Sequence, residues 1–436
     1  MSIPSAAPYD VVVFGATSFV GRILCDYLLA QFGVAGGLHW AAAGRSRAKL
    51  DALRRELGAR AGALPVLVAD ATDEGSLRTL CSHTRVVVST VGPYALHGEP
   101  LVRACAESGT DYCDLSGEVQ WIRRMIQRYE STARASGARI VHCCGFDSIP
   151  SDLGVFFLQQ QARERFGAPC TRVAMRVRTL RGGISGGTAA SLLNVVREAA
   201  ADPALRRELA DPYSLCPPAS PASPPSSVAP AAPAAPQRPR QPRVNGARFD
   251  PESGGWIAPF VMSAINTRVV LRSQSLLGAT YGEGFTYEEA VSTGRGLRGR
   301  IAALGMAAGL AGFMFAGATA PTRRLLERFA LPAPGEGPSP EAQRAGHFDL
   351  RFHGTTADGR VLGVKVTGDR DPGYGSTAKM LGQAAACLAQ DFAGSRRIAG
   401  AGGFPTPASL FGLRLIERLR AHAGLRFDVL DAQPGG

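Results

Sequence analysis

Lysine is almost missing from this chain of 436 residues: Lys49, Lys365 and Lys379 are its only three. The formal net charge of +12 is therefore carried by arginine. An Arg-over-Lys bias alongside 52 glycines and 30 prolines is the mark of GC-rich codon usage, so basicity alone does not identify an anionic partner. No run of Lys or Arg interleaves with aromatics, which argues against a nucleic-acid face. The nine cysteines show no CxxC spacing. The seven histidines form no HxH or HExxH pair, so no metal site is indicated. Scattered cysteines in odd number read as reduced thiols of a cytoplasmic protein. No charged and apolar leader precedes the first strand-like run. Hydrophobic residues at 45% and charged residues at 19% describe a globular chain, long enough for two domains.

What is present alternates. Tyr9–Gly15 is a β-branched apolar run ending in glycine, and a helical pattern follows from Phe19 to Phe32. Strand-like runs recur at His39–Gly44, Pro65–Ala69, Arg85–Val91 and Ala138–Cys143, with helical patterns at Ala48–Leu57, Ser76–Leu80 and Gly98–Ser108. Strands alternating with helices over residues 1–148 predict an α/β domain with a doubly wound parallel sheet, a Rossmann fold. A second domain is expected over 149–436. There Arg172–Leu180 alternates as a half-exposed strand would, and Phe348–Val366 reads as a hairpin around Ala357–Gly359. A helix over Pro407–Ala423 closes the chain and is free to pack back on the first domain.

Two segments stand apart. Residues 212–243 hold eleven prolines between Pro212 and Pro242, which suits a solvated excursion rather than a helix or inner strand. Ile301–Ala320 carries no charge and contains the pair Gly305 and Gly309. It is long enough for one bilayer crossing, yet rich in Ala and Gly. A buried helix, a helix lying on a membrane surface and a true span stay open as readings; the flanking arginines would suit an anionic surface.

The turn after the first strand reads Gly15-Ala16-Thr17-Ser18-Phe19-Val20-Gly21. Gly15 permits a sharp turn, Gly21 lets the helix lie on the sheet, and the free amides at the helix start face a pyrophosphate. Ser18 stands where a middle glycine usually lies. At the end of the second strand an NAD site needs a carboxylate for the ribose 2′-hydroxyl. This chain has Arg45 and Ser46 with Lys49 beyond and no acid, which selects the 2′-phosphate of NADP(H). Asp70 and Ala71 are expected at the adenine edge, and Val91, Gly92, Pro93 and Tyr94 near the nicotinamide.

Further motifs are more specific. Gly92-Pro93-Tyr94 is followed by Gly109-Thr110-Asp111-Tyr112-Cys113-Asp114-Leu115-Ser116-Gly117-Glu118. Then come Cys144-Gly145-Phe146-Asp147-Ser148-Ile149-Pro150-Ser151-Asp152, and later Gly368–Gly375 with Ser376-Thr377-Ala378-Lys379. In this series the chain resembles the saccharopine dehydrogenase-like oxidoreductases, particularly their trans-acting enoyl reductase branch, from about Asp10 to Val429. The resemblance implies a Rossmann domain followed by an α+β domain, with NADP(H) in the crevice between them. It also implies reduction of a carbon–carbon double bond in a small-molecule or carrier-bound acyl chain. A polyketide synthase partner, peripheral membrane contact and a homodimer are consistent with it. Two rivals stay open: an amino-acid or imine dehydrogenase, and a non-catalytic NADP(H)-binding protein at a lipid surface.

Enoyl reduction needs a hydride at the β-carbon, a donor for the enolate oxygen and a proton for the α-carbon. Tyr94 is the first candidate donor, with a packing role as its alternative. Asp147 and Ser148 follow the last strand at the carboxyl edge of the sheet, where capping the next helix is their alternative. Asp114 and Glu118 are expected to cap and brace.

Overall fold

In the computed structural model, which describes residues 7–182, 186–218, 238–329, 337–395 and 398–430, the first third of the chain forms one parallel sheet. Its strands are β1 (Tyr9–Phe14), β2 (Trp40–Gly44), β3 (Val66–Val68), β4 (Thr84–Ser89), β5 (Asp111–Asp114) and β6 (Ile140–Val141). Their order is β3-β2-β1-β4-β5-β6. Continuous valine runs suit strands covered on both faces: Val11, Val12, Val13, Val86, Val87 and Val88 are all fully buried. The order in which successive strands are added reverses at the parallel β1/β4 pair, which opens a crevice at the carboxyl ends of both strands.

The stretch Ala138–Cys143 supplies the sixth strand rather than the fifth. Asp111–Asp114 takes the fifth place, parallel to β4 and β6. A four-residue run that begins and ends in aspartate has no apolar period, so its strand character comes from the neighbours it pairs with.

The second sheet has seven strands: β7 (Cys170–Arg181), β8 (Arg248–Asp250), β9 (Gly255–Pro259), β10 (Thr286–Gly294), β11 (His347–Thr356), β12 (Val361–Gly368) and β13 (Leu425–Leu430). They are ordered β13-β12-β11-β7-β10-β9-β8; β7 and β10 run parallel and the other pairs antiparallel. The expected hairpin joins β11 to β12, with Gly359 turning at φ +86°. The closing helix is broken. Gly412, at φ +52°, divides it into Pro407–Leu410 and Leu413–His422, and β13 follows along the sheet edge.

Helix Ile149–Phe166 leads from the first sheet into the second, with Gly154 admitting the Phe352 ring against its backbone. Helix Thr377–Ala386 returns to the first unit and packs on helix Phe19–Phe32. There Gly382 faces Tyr27 and Leu24, and the Tyr27 hydroxyl donates to His422 O at 3.1 Å.

Of the proline-rich segment, residues 219–237 lie outside the described part. The apolar segment is a helix from Gly296 to Ala318, with a mean hydropathy of 1.8 and only 11% of that window buried. Length and composition alone would let it cross a membrane, but it also packs against β9 and β10.

Candidate functional site

Gly15 takes φ +85°, and a β-carbon there would sit 2.6 Å from Val91 Cγ2. A β-carbon on Gly21 would overlap Gly15 O, so the helix can approach the sheet only with glycine. Ser18 caps helix Phe19–Phe32 by accepting the Gly21 amide at 2.9 Å. Its hydroxyl also meets that of Thr90 at 3.0 Å, and Thr90 donates to Gly15 O at 2.9 Å. The residue standing in for the middle glycine thus braces the loop to the end of β4. Ala16 is buried, while Thr17, Phe19 and Val20 are partly exposed around the turn. Most amides of the first helical turn have no acceptor within the helix and form a cradle for phosphate.

At the end of β2, Arg45 is exposed and Ser46 caps helix Arg47–Glu56 by accepting the Lys49 amide. No carboxylate stands at this strand end. Across the gap, the Thr72 amide and hydroxyl hold the Asp70 carboxylate below its usual range, and the Arg45 charge adds to the effect. Ala71 is partly exposed beside it. An exposed guanidinium with a hydroxyl and an ammonium within four residues fits a 2′-phosphate.

The turn after β4 runs through Val91 and a cis Gly92–Pro93 peptide to Tyr94. Tyr94 is expected as a donor or as a packing group, and its surroundings favour the packing alternative. Its ring is 5% exposed and stacks at 5.4 Å on Trp121, and its hydroxyl is engaged twice by the backbone. The hydroxyl donates to Ser89 O at 3.0 Å and accepts from the Leu115 amide at 3.2 Å. Burial and the nearby Asp114 carboxylate push this phenol well above its ordinary value. It is a packing and bracing group.

Glu118 does what its motif suggested. Its carboxylate accepts the Tyr94 and Ala95 amides at 2.8 and 2.9 Å and the Ser191 hydroxyl at 3.0 Å. Ser191 belongs to helix Gly186–Ala201, so Glu118 links the turn after β4 to the second unit. Nothing in the sequence around Ser191 announces this contact.

At the ends of β5 and β6 three polar groups part ways. Asp114 is fully buried; it meets His142 Nδ1 at 2.7 Å and accepts from the Tyr112 hydroxyl at 2.9 Å. Ser148 is fully buried too, and its hydroxyl donates to Asn266 Oδ1 at 2.9 Å. That ties two helices together, which fits the structural alternative for Ser148. Asp147 is different. Part of the residue reaches solvent, but its carboxyl is enclosed against Gly117 and Gly145 and is pushed up to about 7, first by burial and then by the Asp114 charge. It is a carboxyl whose pKa is raised by its surroundings, on the carboxyl edge of a nucleotide-binding sheet. The turn that carries it is fixed by Thr377, which accepts the Phe146 amide at 2.9 Å.

Ser376 is buried and donates to Arg370 O, while Lys379 pairs with Asp369 at 3.2 Å. Asp250, Glu252 and Glu288 converge in the second unit, but around the buried guanidinium of Arg176, which bonds Asp250 at 2.9 and 3.0 Å and Glu288 at 2.6 Å.

Residues 11–141 match the family described as saccharopine dehydrogenase NADP binding domain. A Mycobacterium tuberculosis protein provisionally named a trans-acting enoyl reductase is 40% identical over 417 residues, covering 95% of this chain and 96% of its own. The trans-acting enoyl reductase of Mycobacterium bovis is 37% identical over 422 residues, with the same two coverages. Among solved structures, apo saccharopine dehydrogenase (L-Glu forming) from Saccharomyces cerevisiae aligns with a TM-score of 0.51 at 15% identity, over 97% of this chain and all of that one. At that identity the likeness shows the fold, a Rossmann domain followed by a mixed-sheet domain.

Proposed function

This chain belongs to the trans-acting enoyl reductase family of saccharopine dehydrogenase-like NADP-binding oxidoreductases, and from that premise we propose that it reduces the carbon–carbon double bond of a 2-enoyl thioester, with Asp147 as the acid. NADPH, when bound, supplies a hydride to the β-carbon. The electron pair of the double bond then passes toward the thioester oxygen, and the α-carbon takes up a proton. The place of Asp147 just beyond β6, at the carboxyl edge of the nucleotide-binding sheet, carries the assignment, and a carboxyl raised by burial to about 7 suits delivery of that proton near neutral pH. Gly15 through Gly21 hold the pyrophosphate, Arg45, Ser46 and Lys49 the 2′-phosphate, and Asp70 and Ala71 border the adenine. Val91, Gly92 and Pro93 border the nicotinamide, with Tyr94 and Glu118 keeping their turn in place. The substrate is carrier-bound and comes from a polyketide synthase, which is what acting in trans implies.

A second reading concerns location. Leu297, Ile301, Leu304, Met314 and Phe315 on helix Gly296–Ala318 are 45% to 74% exposed, and Arg295, Arg298 and Arg300 cluster exposed at its start. This supports peripheral contact with an anionic lipid surface. Flotation with anionic vesicles tests it, and loss of flotation in Phe315→Glu is the expected control.

The reaction is tested by NADPH oxidation with 2-enoyl thioesters against pairs of amine and keto acid. Enoyl turnover with NADPH is expected. Arg45→Ala should raise the NADPH KM about 10- to 100-fold, the worth of a charge-assisted phosphate contact of about 1.5–3 kcal/mol, and leave NADH unchanged. Turnover of the imine pair alone would overturn the reading.

A further inference from the structure

An open cavity of about 430 Å³ lies between the second sheet and helix Gly296–Ala318. Small-molecule sites span roughly 300–1,000 Å³, so the volume suits a ligand. Its walls include Val177, Leu180, Phe260, Met306 and Leu310, with Arg178 among them. A register shift between β7 and β11 skips Arg178 and breaks the alternation of β7, so four successive residues from Val177 to Leu180 line the cavity.

Residues beyond the ends of both walls are linked through neighbouring segments to the turns after β1 and β4. Two residues past Leu180, Gly182 abuts Asp371, whose carboxylate accepts the Tyr374 amide at 2.8 Å. The Tyr374 ring stands 5.1 Å from Phe19 in the phosphate turn. On the other side, helix Gly186–Ala201 bonds Glu118 through Ser191 beside the nicotinamide-end turn. The same helix sets Leu193 and Val196 against Gly317 of helix Gly296–Ala318.

We propose that this cavity holds the aliphatic tail of the acyl substrate and sets the chain length the enzyme prefers. The inference rests on the enoyl reductase reading. Each methylene buried there is worth about fourfold in kcat/KM, from about 0.8 kcal/mol of transfer free energy.

Gly309 lines the cavity, and a β-carbon on it would meet nothing within 4 Å. Gly305, one turn away, is equally open but does not line it. Gly309→Trp therefore fills the cavity, and Gly305→Trp places the same bulk on the same helix outside it. Rates are measured on butenoyl, octenoyl, dodecenoyl and hexadecenoyl pantetheine thioesters, with cis-parinaric acid fluorescence as a binding readout independent of turnover. The wild type should gain kcat/KM as the chain lengthens. Gly309→Trp should lose about tenfold or more on the long chains and on parinarate, keeping butenoyl turnover, with Gly305→Trp unaffected. An unchanged chain-length profile in Gly309→Trp would overturn the proposal. So would exclusion of parinarate by a dimer that Gly309→Trp dissociates. If no enoyl thioester turns over but parinarate binds and Gly309→Trp expels it, the reaction assignment fails and the lipid-chain site stands.

Discussion

Thr377 Oγ1 accepts the backbone N–H of Phe146 at 2.9 Å and donates to Pro372 O at 2.8 Å. This hydroxyl, from the helix that packs back on the first unit, holds the turn carrying Asp147, more than two hundred residues earlier in the chain. In Thr377→Val the turn amide loses its acceptor next to a buried side chain, at a cost of about 1–3 kcal/mol. The expected outcome is a lower unfolding midpoint together with a fall in kcat, while Kd for NADPH stays near that of the parent. Thr377→Ser, which keeps the hydroxyl, should recover both properties. Urea titration and stopped-flow reduction rates check this.

Tyr94→Phe distinguishes bracing from catalysis. Removing the hydroxyl leaves the Leu115 amide without its acceptor and Ser89 O without one donor, so stability should fall by about 1–3 kcal/mol. kcat should stay near the wild-type value. A loss of several orders of magnitude in kcat with unchanged stability would make the phenol the donor after all.

The same neighbourhood shows why part of the site was readable in the sequence and part was not. Gly15, Ser18 and Gly21 act through local geometry, a turn, a cap and a close approach, and local geometry is written in adjacent residues. Arg45 with no acid beside it is likewise a local statement. Tyr94 and Ser148 have their functions decided by Leu115, Ser89 and Asn266, partners that only tertiary folding brings near. β5 gave no apolar period because aspartates end it. The break at Gly412 was hidden because it falls inside an otherwise amphipathic run. Ser191 and Thr377 are ordinary hydroxyls in sequence; only their positions against Glu118 and Phe146 give them a part in the site.

Asp152 predicts an unusual dependence of stability on pH. Burial raises its carboxyl from 3.8 to about 7, although the Ser273 hydroxyl and the Ala408 amide bond it and pull the other way. A folded pKa above the unfolded one means the neutral form is favoured in the folded state. The contribution is full below about pH 4 and is lost as pH rises through about 7. Glu289, raised to about 6 in the same way, adds to the trend. Over that window the melting temperature of the wild type should fall as pH rises. Asp152→Asn, which can still accept from Ala408 and donate to Ser273, should show a shallower fall. Calorimetric scans at a series of pH values decide it, and an equal slope in both proteins would remove Asp152 from the account.

The most direct test of Asp147 as the acid is the pH profile of kcat/KM for NADPH-dependent reduction of a 2-enoyl thioester, in wild type and Asp147→Asn. A general acid must be protonated, so wild-type activity should fall as pH rises through about 7. The variant should be about 10²- to 10⁴-fold slower and lack that limb, with NADPH binding unchanged. A variant that keeps both the wild-type rate and the same falling limb would contradict the account.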